Sequence, residues 1–159
     1  MIINVIDRQR NLSISSAQVR RIVKAVITNE KQKCDEVGIF FVETSEICRL
    51  HEQFFNDPSP TDCISFSMDD CTSENMPFRQ LGEVFVCPAT AVAYAAQHDE
   101  NPFKETTLYI VHGLLHLMGY NDIQEEDVSL MRQAEAMHML LLQNDPKIGR
   151  YNWLEKKRH

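Results

Sequence analysis

Two histidines, His112 and His116, stand four residues apart within the apolar run LYIVHGLLHLMGY at residues 108–120. On a helix, side chains at that spacing share one face, with Cβ atoms about 5–6 Å apart, so two imidazole nitrogens can meet at one metal ion. Gly119 follows three residues after His116, where a helix would end in the left-handed conformation that glycine adopts without steric cost. The chain would then turn back and carry Asp122 towards the histidines. Two imidazoles and a carboxylate, with a further position left to water, form the donor set of a catalytic zinc site, whereas a structural site is closed by four protein ligands. The competing account is a core helix with two satisfied histidines and a glycine stop.

The spacing HxxxHxxGxxD is similar to the zinc-protease signature HExxHxxGxxH and departs from it twice. Gly113 occupies the place of the general-base glutamate, and Asp122 that of the third histidine. Without that glutamate, which normally takes the proton from water at the zinc, the residues argue against peptidase chemistry.

These residues need a scaffold, and 159 residues suffice for one domain, 1–159, with a basic tail from about residue 147. Residues 2–6 (IINVI) are short, β-branched and apolar, which predicts a first strand, with a polar connection over 7–12. Ser15 or Ser16 caps a helix reaching about Glu30, whose apolar face is Val19, Ile22, Val23, Val26 and Ile27. A charged turn at 31–36 leads into VGIFFV at 37–42, a strand covered on both faces. Thr44 or Ser45 caps a second helix with Ile47, Leu50 and Phe54 on its apolar side, and DPSP at 57–60 ends it. Further strands are expected at 65–68, led in by Cys63 and Ile64, and at 81–87, around a mobile polar loop at 69–80. Pro88 opens a small-residue helix over 89–97, and Asn101 or Pro102 starts the histidine helix. Residues 124–143 form the last helix, with Val128, Met131, Ala134, Met137, Met139 and Leu140 as apolar positions and the methionines as core filling. The elements do not strictly alternate. The expected class is therefore α+β, a small mixed four-stranded sheet packed with about five helices around one metal site.

The five cysteines, Cys34, Cys48, Cys63, Cys71 and Cys87, are scattered and form no CxxC pair, which predicts reduced, mostly buried thiols. A net charge of -7 and a pI near 5.3 lack the basic footprint usual in nucleic-acid binders. Any RNA contact must be local, and positive charge concentrates at Arg20, Arg21 and Lys24 and again at Lys156, Lys157 and Arg158. For both groups the plainer reading is a solvated face or end. No apolar run approaches the roughly eighteen residues of a membrane span, and no signal segment opens the chain, so a cytoplasmic protein without a membrane partner is expected.

Three stretches in this order, PTDCISF at 60–66, LGEVFVC at 81–87 and HGLLHLMGYND at 112–122, resemble the YbeY family of bacterial endoribonucleases, the rRNA maturation factors. The family's histidine motif reads HGxLHLxGYDH, and the similarity runs from near Ile2 to the last helix. The resemblance implies a single-strand-specific, metal-dependent endoribonuclease that matures ribosomal RNA, notably the 3′ end of the 16S species, and serves ribosome quality control. It implies Zn2+, with another divalent transition metal as the alternative, and single-stranded RNA or rRNA and the small ribosomal subunit as partners. No DNA partner is expected. The family's third metal histidine falls at Asp122, so the metal set is His112, His116 and Asp122; the harder ligand shifts preference slightly towards manganese or iron. Phe55 stands where the family usually has an arginine, and His51 where asparagine is common. Three accounts of Phe55 stand open: a lost phosphate contact that limits the enzyme, a stacking platform for a base, or a core residue of the second helix.

A divalent ion at this site would lower the pKa of water from about 15.7 towards about 7 and polarise a phosphoryl oxygen. With Gly113 in the glutamate position, Asp62 and Glu83 are the catalytic candidates for ordering that water, against a loop-capping aspartate and a surface glutamate. The rival functions are a non-enzymatic ribosome-assembly module with a structural metal and, further off, a zinc peptidase.

Overall fold

A computed structural model describes residues 1–68 and 78–157. Most of the loop expected at 69–80, with Cys71 inside it, lies outside the described residues, as does Arg158. The elements run β1 (Ile2–Arg8), α1 (Ser16–Asn29), β2 (Glu36–Val42), α2 (Thr44–Phe55), β3 (Cys63–Ser67), β4 (Gln80–Val86), α3 (Pro88–His98), α4 (Pro102–Leu117) and α5 (Glu125–Asn144). The sheet order is β1-β2-β4-β3, with β1, β2 and β4 parallel and β3 antiparallel to β4. This is the expected α+β arrangement of a mixed four-stranded sheet and five helices among the described residues.

The alternation of each strand sorts its side chains between two layers. Val37, Ile39 and Phe41 of β2, with Val84 and Val86 of β4, join the main core with α1, α4 and α5. Val42 and Ile64 face the other way and meet Ile47 of α2 in a smaller cluster flanked by Phe40, Phe66 and Phe85. There Phe40 stacks on Phe85, ring centres 4.6 Å apart. On α1, Val19, Ile22, Val23, Val26 and Ile27 are all fully buried, as their spacing demands, and the Ser15 side chain accepts from the Gln18 amide.

Four expectations need correction. Helix α2 begins from Glu43, with neither Thr44 nor Ser45 capping it, and buries only Ile47. Phe54 and Phe55 are 54% and 56% exposed, so Phe55 is not a core residue. The inward stripe of α5 is Met131, Ala134, Glu135, His138 and Leu142, while Met137 and Leu140 face solvent. That stripe keeps helical spacing, but two of its members are polar and invisible to an apolar count. The residues after α5 are also no loose tail: Ile148, Trp153 and Leu154 are buried in the main core. Among the described residues no disulfide forms; Cys34 and Cys87 are buried thiols, Cys48 and Cys63 partly buried ones. No helix among the described residues is long and apolar enough to cross a membrane.

Candidate metal centre

Helix α4 starts on Asn101, whose side chain accepts from the amides of Phe103 and Lys104. Buried Thr106 and Thr107 donate their hydroxyls to the Pro102 and Phe103 carbonyls at 2.7 and 2.8 Å, so both are satisfied inside the helix. The helix presses directly on the sheet at Gly113, where a Cβ would lie 2.4 Å from Val84 Cγ1. Ser65 Oγ donates to the Gly113 carbonyl at 2.9 Å from the strand below. A glutamate at this position therefore has no room, which removes the peptidase general base by sterics as well as by sequence. The helix ends in a Schellman turn: the Gly119 amide donates to the His116 carbonyl, the Tyr120 amide to the Leu115 carbonyl, and Gly119 sits at φ 103°.

That turn returns Asp122 to the two imidazoles. The Nε2 atoms of His112 and His116 are 3.0 Å apart, and Asp122 Oδ2 lies 3.6 Å from the first and 3.5 Å from the second. A tetrahedral ion with bonds of about 2.0–2.2 Å keeps its donor atoms about 3.3 Å apart, so this triangle has the right size to share one ion. The remaining hydrogen bonds say the same. His116 Nδ1 lies 3.0 Å from the Tyr120 carbonyl, which can only accept, so this nitrogen carries the proton. His112 Nδ1 donates to Glu135 Oε2 at 2.6 Å. In the neutral tautomers both Nε2 lone pairs then converge beside a carboxylate, an arrangement that a shared metal ion, or a proton on one ring, relieves.

Glu135 did not emerge from sequence reasoning. It is 4% exposed on the inward stripe of α5, and Arg132 donates to its two oxygens at 2.7 and 3.1 Å. Burial works to raise its carboxyl, but the bonds from His112 and Arg132 outweigh that and hold it below the usual glutamate value. Burial likewise works to strip His112 of its proton; the Glu135 bond and charge, aided by Asp62 and Asp122, prevail and leave the imidazole above the usual histidine value. The available signal was an acidic residue in phase with Met131, Ala134 and Leu142. Tyr120, whose carbonyl orients His116, is anchored in turn by its hydroxyl on Glu30 Oε1 at 2.8 Å.

The trio opens into a cleft of about 520 Å³ whose other wall includes His51, Phe55, Asp62 and Cys63. Asp62 lines this cleft and also caps its own loop, since Oδ1 accepts from the Cys63 amide at 2.7 Å. Burial, then the neighbouring carboxylates led by Asp62, push the Cys63 thiol well up, so it remains a thiol there. His51 donates from Nδ1 to the Ser59 carbonyl at 2.8 Å, and its ring lies 5.8 Å from that of Phe55. Glu83 is not at the cleft. Its neighbours Gly82 and Val84 face α4, so strand alternation turns Glu83 to the opposite side of the sheet, into a separate cavity with Asn4, Gly38 and Phe40.

The family model for Endoribonuclease YbeY matches residues 4–143, a span that contains β2, β3, β4, the cleft and the metal trio. The chain belongs to the endoribonuclease YbeY family. Endoribonuclease YbeY of Protochlamydia amoebophila (strain UWE25) is 55% identical over 139 residues, covering 87% of this chain and 91% of the relative. That of Chlamydia trachomatis serovar D is 33% identical over 137 residues, covering 86% and 84%. The solution structure of TM1509 from Thermotoga maritima shares the fold, with a TM-score of 0.59 at 21% identity and 87% of each chain covered. Within the YbeY fold, then, this chain presents its donor set as two imidazoles and a carboxylate.

Proposed function

We propose that the chain is a metal-dependent endoribonuclease that hydrolyses single-stranded RNA at the cleft, with one divalent ion, zinc by preference, held by His112, His116 and Asp122. The observation that carries this reading is the triangle of three donor atoms with edges of 3.0, 3.5 and 3.6 Å. A divalent ion bound there supplies Lewis acidity for water and for a phosphoryl oxygen. The protein's part is orientation. Glu135 and the Tyr120 carbonyl fix both rings, and Asp122 adds a negative oxygen that makes the site selective for cations. Asp62 is assigned the ordering of the attacking water, because it is the acidic residue of the cleft wall outside the donor trio. The natural substrate in this reading is ribosomal RNA of the small subunit, with cleavage at the 3′ end of the 16S species in the cytoplasm. Support for that part comes from family membership.

The deciding experiment uses purified protein with labelled single-stranded RNA and, in parallel, an unstructured peptide. Cleavage of RNA alone, abolished by a chelator and restored by zinc, is the expected result. Chelator-resistant cleavage, or RNA left intact by the metal-loaded protein, would reject the reading. Asp62→Asn keeps the loop-capping oxygen, and a fall in cleavage rate with unchanged metal content is the result expected of a water-ordering residue.

A further inference from the structure

One cation from each of the two basic groups, Arg21 and Lys157, lines a single cavity together with Lys147. At the N-terminal end of α1, a space of about 430 Å³ is lined by Arg21, Lys147 and Lys157, with Tyr151, Ser15 and Glu155 completing its rim. The wall from the C-terminal segment is firmly built. Ser15 and Leu154 are joined by a backbone hydrogen bond of 2.8 Å, Lys156 and Ser13 by one of 3.0 Å. Gln18 is 5% exposed, and its Nε2 donates to the carbonyls of Lys147 and Trp153 at 2.8 and 2.7 Å. Gly149 allows the tight return after α5, since a Cβ there would lie 2.3 Å from Gln143 Cα. The anchors are buried, and the cations they present are exposed.

Among the described residues, none of the three cations is in an ion pair. Arg21 donates to Gln18 Oε1 at 2.6 Å, and Lys157 Nζ lies 4.6 Å over the ring of Tyr151, which is 46% exposed. The first turn of α1 carries no acidic residue, so the positive end of the helix dipole adds to the same field. Glu155 is the one carboxylate on this rim. Three cations sharing one cavity with an exposed aromatic ring are a concentrated exception in a protein of net charge -7. That combination suits a phosphate backbone with an unpaired base stacked on the ring.

The cavity is separate from the cleft. From Arg21 to Glu30, which bonds Tyr120 of the metal loop, α1 rises about 14 Å. Five of its eight lining residues come from 146–157, beyond the 4–143 span of the family match. We propose that this cavity, lined mostly by residues outside the family match, is a second RNA-binding site, holding backbone phosphates and one base of the substrate several nucleotides away from the scissile bond. The proposal rests on the ribonuclease reading for its ligand, and the test below keeps the two apart.

The test compares the metal-loaded wild type with the triple variant Arg21→Glu/Lys147→Glu/Lys157→Glu, with the milder triple replacement by glutamine, and with Tyr151→Ala. Binding of labelled single-stranded RNA of about 20 nucleotides is followed by anisotropy across a salt series, beside cleavage of a trinucleotide too short to span both sites. Both triple variants should bind the long strand about tenfold or more weakly and flatten the slope of log K against log salt by about 2, since each phosphate contact contributes about 0.7. Trinucleotide cleavage should stay at the wild-type rate. Tyr151→Ala should weaken long-strand binding without changing the slope. Unchanged affinity and slope in the glutamine variant, checked as folded by circular dichroism, would overturn the proposal. So would equal losses on long and short RNA, or loss of ribosomal-subunit binding with naked-RNA binding intact, which would point to a protein partner. If the wild type cleaves nothing, the ribonuclease reading falls while anisotropy still decides the fate of this site.

Discussion

Among the described residues, two partly buried histidine–glutamate pairs tie helices together, and they differ in which nitrogen is spent. His112 gives Nδ1 to Glu135 across α4 and α5 and keeps Nε2 for the cleft, 3.0 Å from that of His116. His138 gives Nε2 to Glu30 across α5 and α1 at 2.8 Å, and its Nδ1 is enclosed without a partner. At 1% exposure no solute reaches it. A carboxylate beside a histidine thus makes a candidate ligand only when the second nitrogen points at open space and meets other donors there.

The sharpest way to break the comparison is to delete each ring. His112→Ala and His116→Ala should abolish stoichiometric metal binding, whereas His138→Ala and His98→Ala should retain it. The ligand variants should also lose the stabilisation that a bound ion gives, about 2.7 kcal/mol at a hundredfold excess over Kd. His138→Ala should instead cost roughly 1–3 kcal/mol whatever the metal concentration, because it strips a buried hydrogen bond. Metal analysis and melting with and without zinc read both; equal metal content in all four variants would end the distinction.

Next in size is the third donor. Asp122→Ala should weaken metal binding substantially, and Asp122→His should retain or tighten it, while Asn121→Ala should leave it nearly unchanged. Loss of metal in Asn121→Ala with retention in Asp122→Ala would place the third donor on the wrong residue.

A smaller effect tests the glutamate that separates the two histidine environments. Glu135→Ala should lower metal affinity by about 10–100-fold, as loss of a partner that orients a ligating imidazole does. The pH dependence follows from the raised pKa of His112. In the metal-free protein its imidazolium adds stability that is fully present below the unfolded pKa and lost as pH rises through the higher folded value. Metal loading runs oppositely, since ligation needs the Nε2 lone pair and expels the proton. Affinity measured by competition should therefore climb with pH until above the raised value, and in Glu135→Gln the climb should finish at lower pH. An unmoved profile in Glu135→Gln would show that Glu135 does not set the proton affinity of His112.

The smallest expected change is at the cleft wall. Phe55→Arg should strengthen single-stranded RNA binding and cleavage at low salt, adding about 0.7 to the salt slope, because a guanidinium meets two phosphate oxygens at once. With Phe55 half exposed and 5.8 Å from the His51 ring, the competing account is a base-stacking platform. Under that account both Phe55→Arg and Phe55→Ala lose about 1–3 kcal/mol of RNA binding with folding intact.

Convergence of His112, His116 and Asp122 was legible because every constraint is local: one helical turn, a glycine that permits positive φ, and a short return. The order of strands and helices was legible for the same reason, through apolar periodicity and through caps such as Ser15 and Asn101. The apolar count misled at α5, where Met137 and Leu140 look like core and face water, while Glu135 and His138 look like surface and lie inside. Polar residues enter a core when another element supplies their partner, and a single helix's sequence does not contain that partner. Glu83 failed for a related reason. Alternation says that it faces away from Val84, but only the seating of α4 on Val84 through Gly113 says which face carries His112, His116 and Asp122.

By itself, the sequence determined most of the secondary structure, the convergence of His112, His116 and Asp122, and the family, all properties of short segments or of ordered motifs. Only the tertiary structure decided that Glu135 orients His112, that Asp62 and not Glu83 lines the cleft, and that Arg21, Lys147 and Lys157 share one cavity. Each of these depends on contacts between residues far apart in the chain. Their geometry is fixed by how helices seat on the sheet and on one another, which no local period encodes.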